Sequence, residues 1–100
     1  MDSTVISKSL KTILWRRHAR MEAEKDHVSE SDLEDALRQE FIIIEHYPDD
    51  PYGGSALVLT FVNGKPVHVV LSPRKSLCYL ITVYVPSSEK WDETFTKRET

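Results

Sequence analysis

The stretch ALVLTFVNGKPVHVVL, residues 56–71, decides the fold of this chain. Two runs of aliphatic and β-branched residues flank Asn63 and Gly64. A two-residue type I′ turn needs positive φ at both central positions, and asparagine and glycine adopt that conformation more readily than other residues. The stretch therefore predicts a β-hairpin with strands over residues 56–62 and 66–71.

The turn also sets the register of this hairpin. A two-residue loop pairs Leu59 with His68, and a slip of one residue would turn every side chain to the opposite face. In this register, His68 shares a sheet face with Leu57, Phe61 and Val70. Neither face of the hairpin is strongly polar, so we expect helices to cover one face and the other to offer a semi-apolar surface for a site.

Two further strands and a short tail are predicted around the hairpin. Residues 41–47 are β-branched and aromatic and precede a turn-rich loop, and residues 77–85 form the longest apolar run before Pro86 stops it. Residues 87–98 are predicted to form a short C-terminal helix or tail. In that tail, Trp91 and Phe95 stand four residues apart and can pack on the sheet.

The first forty residues change to a helical period. Residues 5–25 carry an approximate 3.6-residue stripe and predict one long helix, and residues 30–39 predict a second, capped by Ser29. The positions of the first stripe are Ile6, Leu10, Ile13, Leu14, Arg17 and Met21. The predicted fold class is α+β: two N-terminal helices packed on a mostly antiparallel four-stranded sheet.

Composition predicts one ordinary globular domain over residues 1–100. Hydrophobic residues make up 40% and charged residues 29%, which are typical globular values. Residues 1–50 carry 7 basic and 12 acidic residues, and residues 51–100 carry 6 and 4, so nucleic-acid binding would require a local basic patch. Cys78 is the only cysteine, and no apolar run approaches the roughly 20 residues of a membrane span, so we expect a cytoplasmic protein without membrane partners.

Several separated motifs carry a family resemblance. They are His18-Ala19-Arg20, Val28-Ser29, Asp32 to Leu37, Ile43 to Asp50, Asn63 to Val70, Ile81 to Pro86 and Glu89-Lys90-Trp91. In order and spacing, these motifs resemble the bacterial and archaeal domain-of-unknown-function family 4258 over residues 10 to 98. Members of that family look like relatives of RelE-type toxins, including the MqsR and BrnT groups. The resemblance implies an RNA-cleaving toxin fold, acting on mRNA or at the ribosome and held inactive by a cognate antitoxin.

The chain departs from the family pattern in the first helix. Family members often have a basic residue and a methionine where this chain has Glu22 and Ala23, and a glycine where it has His27. The lost positive charge weakens an RNA-binding interpretation.

Six residues are candidates for the chemistry of metal-independent RNA cleavage, which needs proton transfer and neutralisation of the phosphate charge. The candidate catalytic residues are His68, Tyr84 and His18, and the candidate RNA- or phosphate-binding residues are Arg20, Lys65 and Arg74. Each also has a structural interpretation: the histidines and Tyr84 as packing or hydrogen-bonding groups, and the cations as solvated or ion-paired side chains. The histidines and Cys78 lack the paired spacings of a zinc site, so neither a metal nor another cofactor is expected.

The alternative hypothesis is a non-catalytic binding module that holds a protein partner on the open sheet face or at a sheet edge. Geometry separates the two hypotheses. The enzyme requires His68, Tyr84 and at least one Arg or Lys to converge in a pocket, whereas the binding module predicts an exposed apolar patch without convergent polar groups.

Overall fold

The computed structural model describes residues 1–51 and 53–98. Residues 1–40 are mostly helical and residues 41–85 are mostly strands, in agreement with the change in hydrophobic period after residue 40. The elements, in chain order, are α1 Ser3–Ser9, β1 Thr12–Trp15, α2 Arg17–Lys25, α3 Glu30–Gln39, β2 Ile42–Tyr47, β3 Ser55–Val62, β4 Lys65–Arg74 and β5 Leu77–Tyr84.

The described strands form one mixed sheet in the order β1-β5-β4-β3-β2. Strands β2 to β5 are antiparallel neighbours, whereas β1 runs parallel to β5. The predicted hairpin is present: Asn63 and Gly64 have φ of 53° and 81°, and Leu59 lies opposite His68. Local turn chemistry thus set the register of the two central strands.

The prediction of four antiparallel strands under two N-terminal helices is wrong, although the α+β class holds. The long first helix is replaced by α1, β1 and α2. Arg38 donates from Nε to the Leu10 carbonyl at 2.9 Å, which satisfies an acceptor at the end of α1. The next four residues, Thr12–Trp15, are β-branched, aliphatic or aromatic, and they gain a full set of parallel pairings with β5.

All three helices pack on one face of the sheet. Helix α2 lies on β5, α3 lies on β3, and α1 contacts β4 and β5. The main core between the helices and this face contains Leu33, Leu37, Val58, Val69 and Leu80, each at most 1% exposed. No helix within residues 1–51 and 53–98 has the length and hydropathy that a membrane crossing requires.

The opposite face, which we call the outer face, carries the C-terminal segment, defined as residues 86–98. This segment contains turns and a single bridge between Trp91 and Arg98, so the predicted short helix is absent from it. The ring of Trp91 and the carbonyl of Phe95 both contact His68, and they place the segment over β4. The tail is therefore ordered on the sheet by its aromatic residues without being helical.

Candidate functional site

His68 and Tyr84 meet on the outer face because they are paired across neighbouring strands. His68 lies in β4 directly opposite Tyr84 in β5, and Nδ1 of His68 is 3.0 Å from the Tyr84 hydroxyl. The two rings pack edge to face with their centroids 5.1 Å apart. The structure therefore brings together two of the three predicted catalytic residues.

The partners of His68 determine which of its nitrogens carries the proton. Nε2 lies 2.7 Å from the carbonyl oxygen of Phe95, which can only accept a hydrogen bond. Nε2 must therefore carry a hydrogen, and in the neutral ring Nδ1 is left as an acceptor. It follows that the Tyr84 hydroxyl donates to Nδ1 of His68.

Burial keeps this pair uncharged at neutral pH. His68 has 0% of its surface exposed, and the edge of Trp91 closes over its ring at a centroid distance of 4.4 Å. Burial is also the largest cause that lowers the pKa of His68 and raises the pKa of Tyr84, because both shifts disfavour the charged form. The imidazole is thus a base, and the phenol retains its proton.

A second polar cluster lies beside the pair, built from Glu45 and Tyr47 on β2 and Arg98 of the C-terminal segment. Tyr47 donates its hydroxyl proton to Oε1 of Glu45, and Arg98 donates from Nη1 to Oε2. The hydrogen bond from Tyr47 has the largest effect on the pKa of Glu45, and the one from Arg98 has the next largest. Both hold that pKa below its ordinary value. The Arg98 guanidinium also stacks on Trp91 at 4.8 Å, so the cluster contacts the histidine site through one ring.

An open pocket of about 500 Å³ adjoins Tyr84. Its wall combines hydroxyl groups, an aromatic ring and two cations with a single carboxylate. The lining side chains are those of Tyr84, Val85, Ser87, Glu89, Lys90, Trp91 and Arg98. A polyanionic ligand in this pocket would meet Lys90 and Arg98 beside the Tyr84 hydroxyl.

The four other predicted residues lie away from this pocket. His18 is exposed on α2, on the helix side of the sheet, and Arg20 on the same helix forms an ion pair with Glu30 at 2.9 Å. Lys65 donates to the Asp26 carbonyl at 3.2 Å.

Arg74 lies at the opposite end of β4 from the hairpin turn. Its Nη1 donates to Ser72 Oγ at 2.6 Å. At about 3.3 Å per residue, the six positions between it and His68 correspond to roughly 20 Å.

Sequence reasoning missed the polar groups that complete the site. Arg98 and the Phe95 carbonyl reach Glu45 and His68 only through the docking of the C-terminal segment, and no motif spacing predicts that docking. The available signal was the pair of tail aromatics, Trp91 and Phe95. Within the described residues, no three His, Cys, Asp or Glu side chains lie close enough together to hold a metal ion.

Fold and site together define a small α+β domain in which a buried histidine is hydrogen-bonded to a tyrosine that lines an open pocket with Lys90 and Arg98. The chain belongs to the family described as a domain of unknown function, DUF4258, whose match covers residues 15–85. No match was found among curated proteins or among solved structures. The family match includes His68, Tyr84 and Glu45, and it ends before the C-terminal segment.

Proposed function

We propose that this chain is a RelE-type, toxin-like endoribonuclease, and that Tyr84 and His68 form its proton relay. The observation that carries the proposal is the direction of their hydrogen bond: a tyrosine hydroxyl beside an open pocket donates to a neutral, tautomerically fixed histidine. A buried base behind a half-buried hydroxyl is an arrangement for moving a proton to and from a bound ligand.

Metal-independent RNA cleavage can be written through this relay with every proton assigned. The ribose 2′-OH attacks the adjacent phosphorus and passes its proton to the Tyr84 oxygen, while the Tyr84 proton moves to Nδ1 of His68. The 5′-oxygen then leaves and takes a proton from Tyr84, which recovers its own from the imidazolium. The products are a 2′,3′-cyclic phosphate and a free 5′-hydroxyl.

The surroundings of the relay fit this chemistry. Because His68 is fully buried, a substrate can exchange protons with it only through Tyr84. Throughout the transfer, Nε2 of His68 keeps its hydrogen bond to the Phe95 carbonyl, which accepts from both the neutral ring and the imidazolium. Lys90 and Arg98 line the pocket and would offset the charge that develops on the phosphate.

The first test measures RNA cleavage by the purified protein, with and without ribosomes. The second induces expression in a bacterial host and measures growth and the integrity of total mRNA. Wild-type protein is expected to arrest growth and to leave 2′,3′-cyclic phosphate ends. Tyr84→Phe and His68→Gln are each expected to lose about 10²–10⁴ in cleavage rate, the usual contribution of general acid–base catalysis. Tyr79→Phe on the same strand and His46→Gln on β2 are the matched controls. Folded wild-type protein that neither arrests growth nor cleaves RNA refutes the proposal.

A second candidate function, a non-catalytic protein-binding module, is favoured by a different observation. Ile42 and Phe61 are 47% and 51% exposed and flank a pocket of about 400 Å³ beside α3. Ile42 belongs to β2 and Phe61 to the neighbouring β3, and the outer edge of β2 has no partner strand within the described residues. An extended segment of a cognate antitoxin could add to this edge and place an apolar side chain in the pocket.

The binding module and the enzyme give different results with one variant. Phe61→Ser is expected to abolish binding of such a partner, while RNA cleavage by the free domain stays at the wild-type rate because Phe61 does not line the pocket at Tyr84.

A further inference from the structure

We infer that the C-terminal segment is a latch that assembles the proton relay, and that Glu45 and Tyr47 are positioning residues that hold the latch closed. The catalytic part of this inference rests on the proposed function, whereas its structural part concerns the protonation of His68 and stands independently of RNA cleavage.

The C-terminal segment is a self-contained loop that meets the sheet through a small number of polar contacts. Within it, the Asp92 carboxylate accepts from the backbone of Thr94 and Thr96, and the backbone bonds from Asp92 and Phe95 also stay inside the loop. In the described part of the chain, hydrogen bonds join the loop to the sheet at two places: His68 donates to the Phe95 carbonyl, and Arg98 donates to the Glu45 carboxylate. The loop can therefore separate from the sheet without breaking a strand ladder.

Docking of this loop sets the direction of the relay. With the Phe95 carbonyl in place, Nε2 of His68 must donate, and Nδ1 is free to accept the Tyr84 proton. Without that carbonyl, the imidazole can adopt the other tautomer, in which Nδ1 donates to Tyr84 and cannot take its proton. Phe95 has a φ of 60°, an uncommon conformation for an aromatic residue, and its amide donates to the Asp92 carbonyl within the loop, so the loop's own turn helps to orient the Phe95 carbonyl.

A continuous row of contacts connects this carbonyl to strand β2. Trp91 touches His68 on one side and carries the Arg98 guanidinium on the other. Arg98 is fixed by Oε2 of Glu45, and Tyr47 holds the second oxygen of the same carboxylate. Because both carboxylate oxygens of Glu45 accept hydrogen bonds, the carboxylate is held in one orientation. In that orientation it positions Arg98, and through Arg98 it positions Trp91 and the loop.

The variant that tests the latch is Glu45→Gln in the full-length chain, because Glu45 does not line the pocket at Tyr84. Glu30→Gln is its matched control: Glu30 is paired with Arg20 in an exposed ion pair far from the relay. Tyr47→Phe serves as a second, milder opening of the latch. Circular dichroism confirms that each variant is folded.

The first measurement is the tautomer of His68, read from two-bond ¹H–¹⁵N correlations of the ring in labelled protein. The wild type and Glu30→Gln are expected to show only the Nε2–H form. Glu45→Gln is expected to show both forms, and Tyr47→Phe a smaller admixture. An unchanged Nε2–H ring in folded Glu45→Gln overturns the latch, whether or not the protein cleaves RNA.

The second measurement is RNA cleavage by the same four proteins. Glu45→Gln is expected to lower kcat by about tenfold with little change in KM, a part of the 10²–10⁴ that the relay supplies. If the tautomer mixes but Glu45→Gln cleaves at the wild-type rate, the catalytic role of the latch is overturned. If the wild type itself cleaves nothing while the tautomer mixes, the proposed function fails and the structural latch is supported.

Discussion

The substitution Tyr84→Phe tests the central contact of the site by removing a single oxygen atom. That oxygen is the hydrogen-bond donor to Nδ1 of His68 at 3.0 Å, and His68 is fully buried. The ring cannot recover by moving its proton to Nδ1, because Nε2–H is needed by the Phe95 carbonyl. Tyr84→Phe therefore leaves one buried acceptor without a donor.

The expected cost follows from the energy of such unpaired groups. A buried polar group that loses its partner costs about 1–3 kcal/mol, and we expect about 1–2 kcal/mol here because Tyr84 is only half-buried. For a domain of this size, each kcal/mol lowers Tm by about 4–8 °C. Urea unfolding followed by tryptophan fluorescence is a suitable assay, since Trp91 lies against His68.

A double-mutant cycle separates the hydrogen bond from the other effects of the two substitutions. In the variant His68→Leu with Tyr84→Phe, both hydrogen-bonding partners are replaced by apolar groups, so the two single losses should not add. We expect a coupling energy of about 1–2 kcal/mol. Tyr79→Phe is the control, because the Tyr79 hydroxyl makes no hydrogen bond in the described part of the chain, and it should cost less than about 0.5 kcal/mol. A coupling energy below about 0.3 kcal/mol would refute the assigned contact.

Four further predictions follow from the structure. Burial lowers the pKa of His68, so the unfolded chain binds more protons than the folded chain as pH falls through about 6.5. The free energy of unfolding should therefore decrease as pH drops from 7 to 5, and His68→Gln should reduce this pH dependence in urea titrations. Trp91→Ala should cost about 3–5 kcal/mol in urea unfolding followed by circular dichroism, because Trp91 is only 5% exposed, and a loss below about 1 kcal/mol would contradict its role as the anchor of the C-terminal segment. Burial raises the pKa of Cys78 to about 11, so the native protein should not react with a thiol reagent at pH 8, whereas the urea-unfolded chain should react fully. His27 has a φ of 58°, so His27→Gly should stabilise the domain by about 0.5–1 kcal/mol in thermal unfolding, and a destabilised variant would show that the histidine ring makes compensating contacts.

Elements with strong local signals could be predicted from the sequence. Helix α3 begins after Ser29, whose side chain accepts from the Asp32 amide, and it ends at Gln39 as its capping pattern predicts. The hairpin turn at Asn63 and Gly64 fixed the register of His68 opposite Leu59. In both cases the deciding interactions lie within a few residues along the chain.

The structure of the first 25 residues could not be predicted because the interaction that decides it lies far away in the sequence. The apolar residues of Thr12–Trp15 fit a helical stripe as well as a strand, and nothing in their own neighbourhood decides between the two. The deciding partner is β5, which begins about 60 residues later in the chain. A short parallel strand of this kind is stabilised by a neighbour that sequence periodicity does not reveal.

The position of His27 links a departure in sequence to backbone geometry. The family resemblance predicts a glycine where this chain has His27, and the structure places this residue between α2 and α3 with a φ of 58°. Glycine adopts that conformation without the steric cost that a Cβ brings. A glycine at position 27 would therefore meet a conformational requirement of the turn.

The boundary of the family match divides the site into two parts. The match over residues 15–85 contains the hydrogen-bonded pair His68 and Tyr84, which strand pairing alone brings together. The Phe95 carbonyl, which fixes the proton on Nε2, lies beyond it, as does Arg98. The hydrogen-bonded pair thus lies within the matched region, and the group that fixes the direction of its hydrogen bond lies in the C-terminal segment.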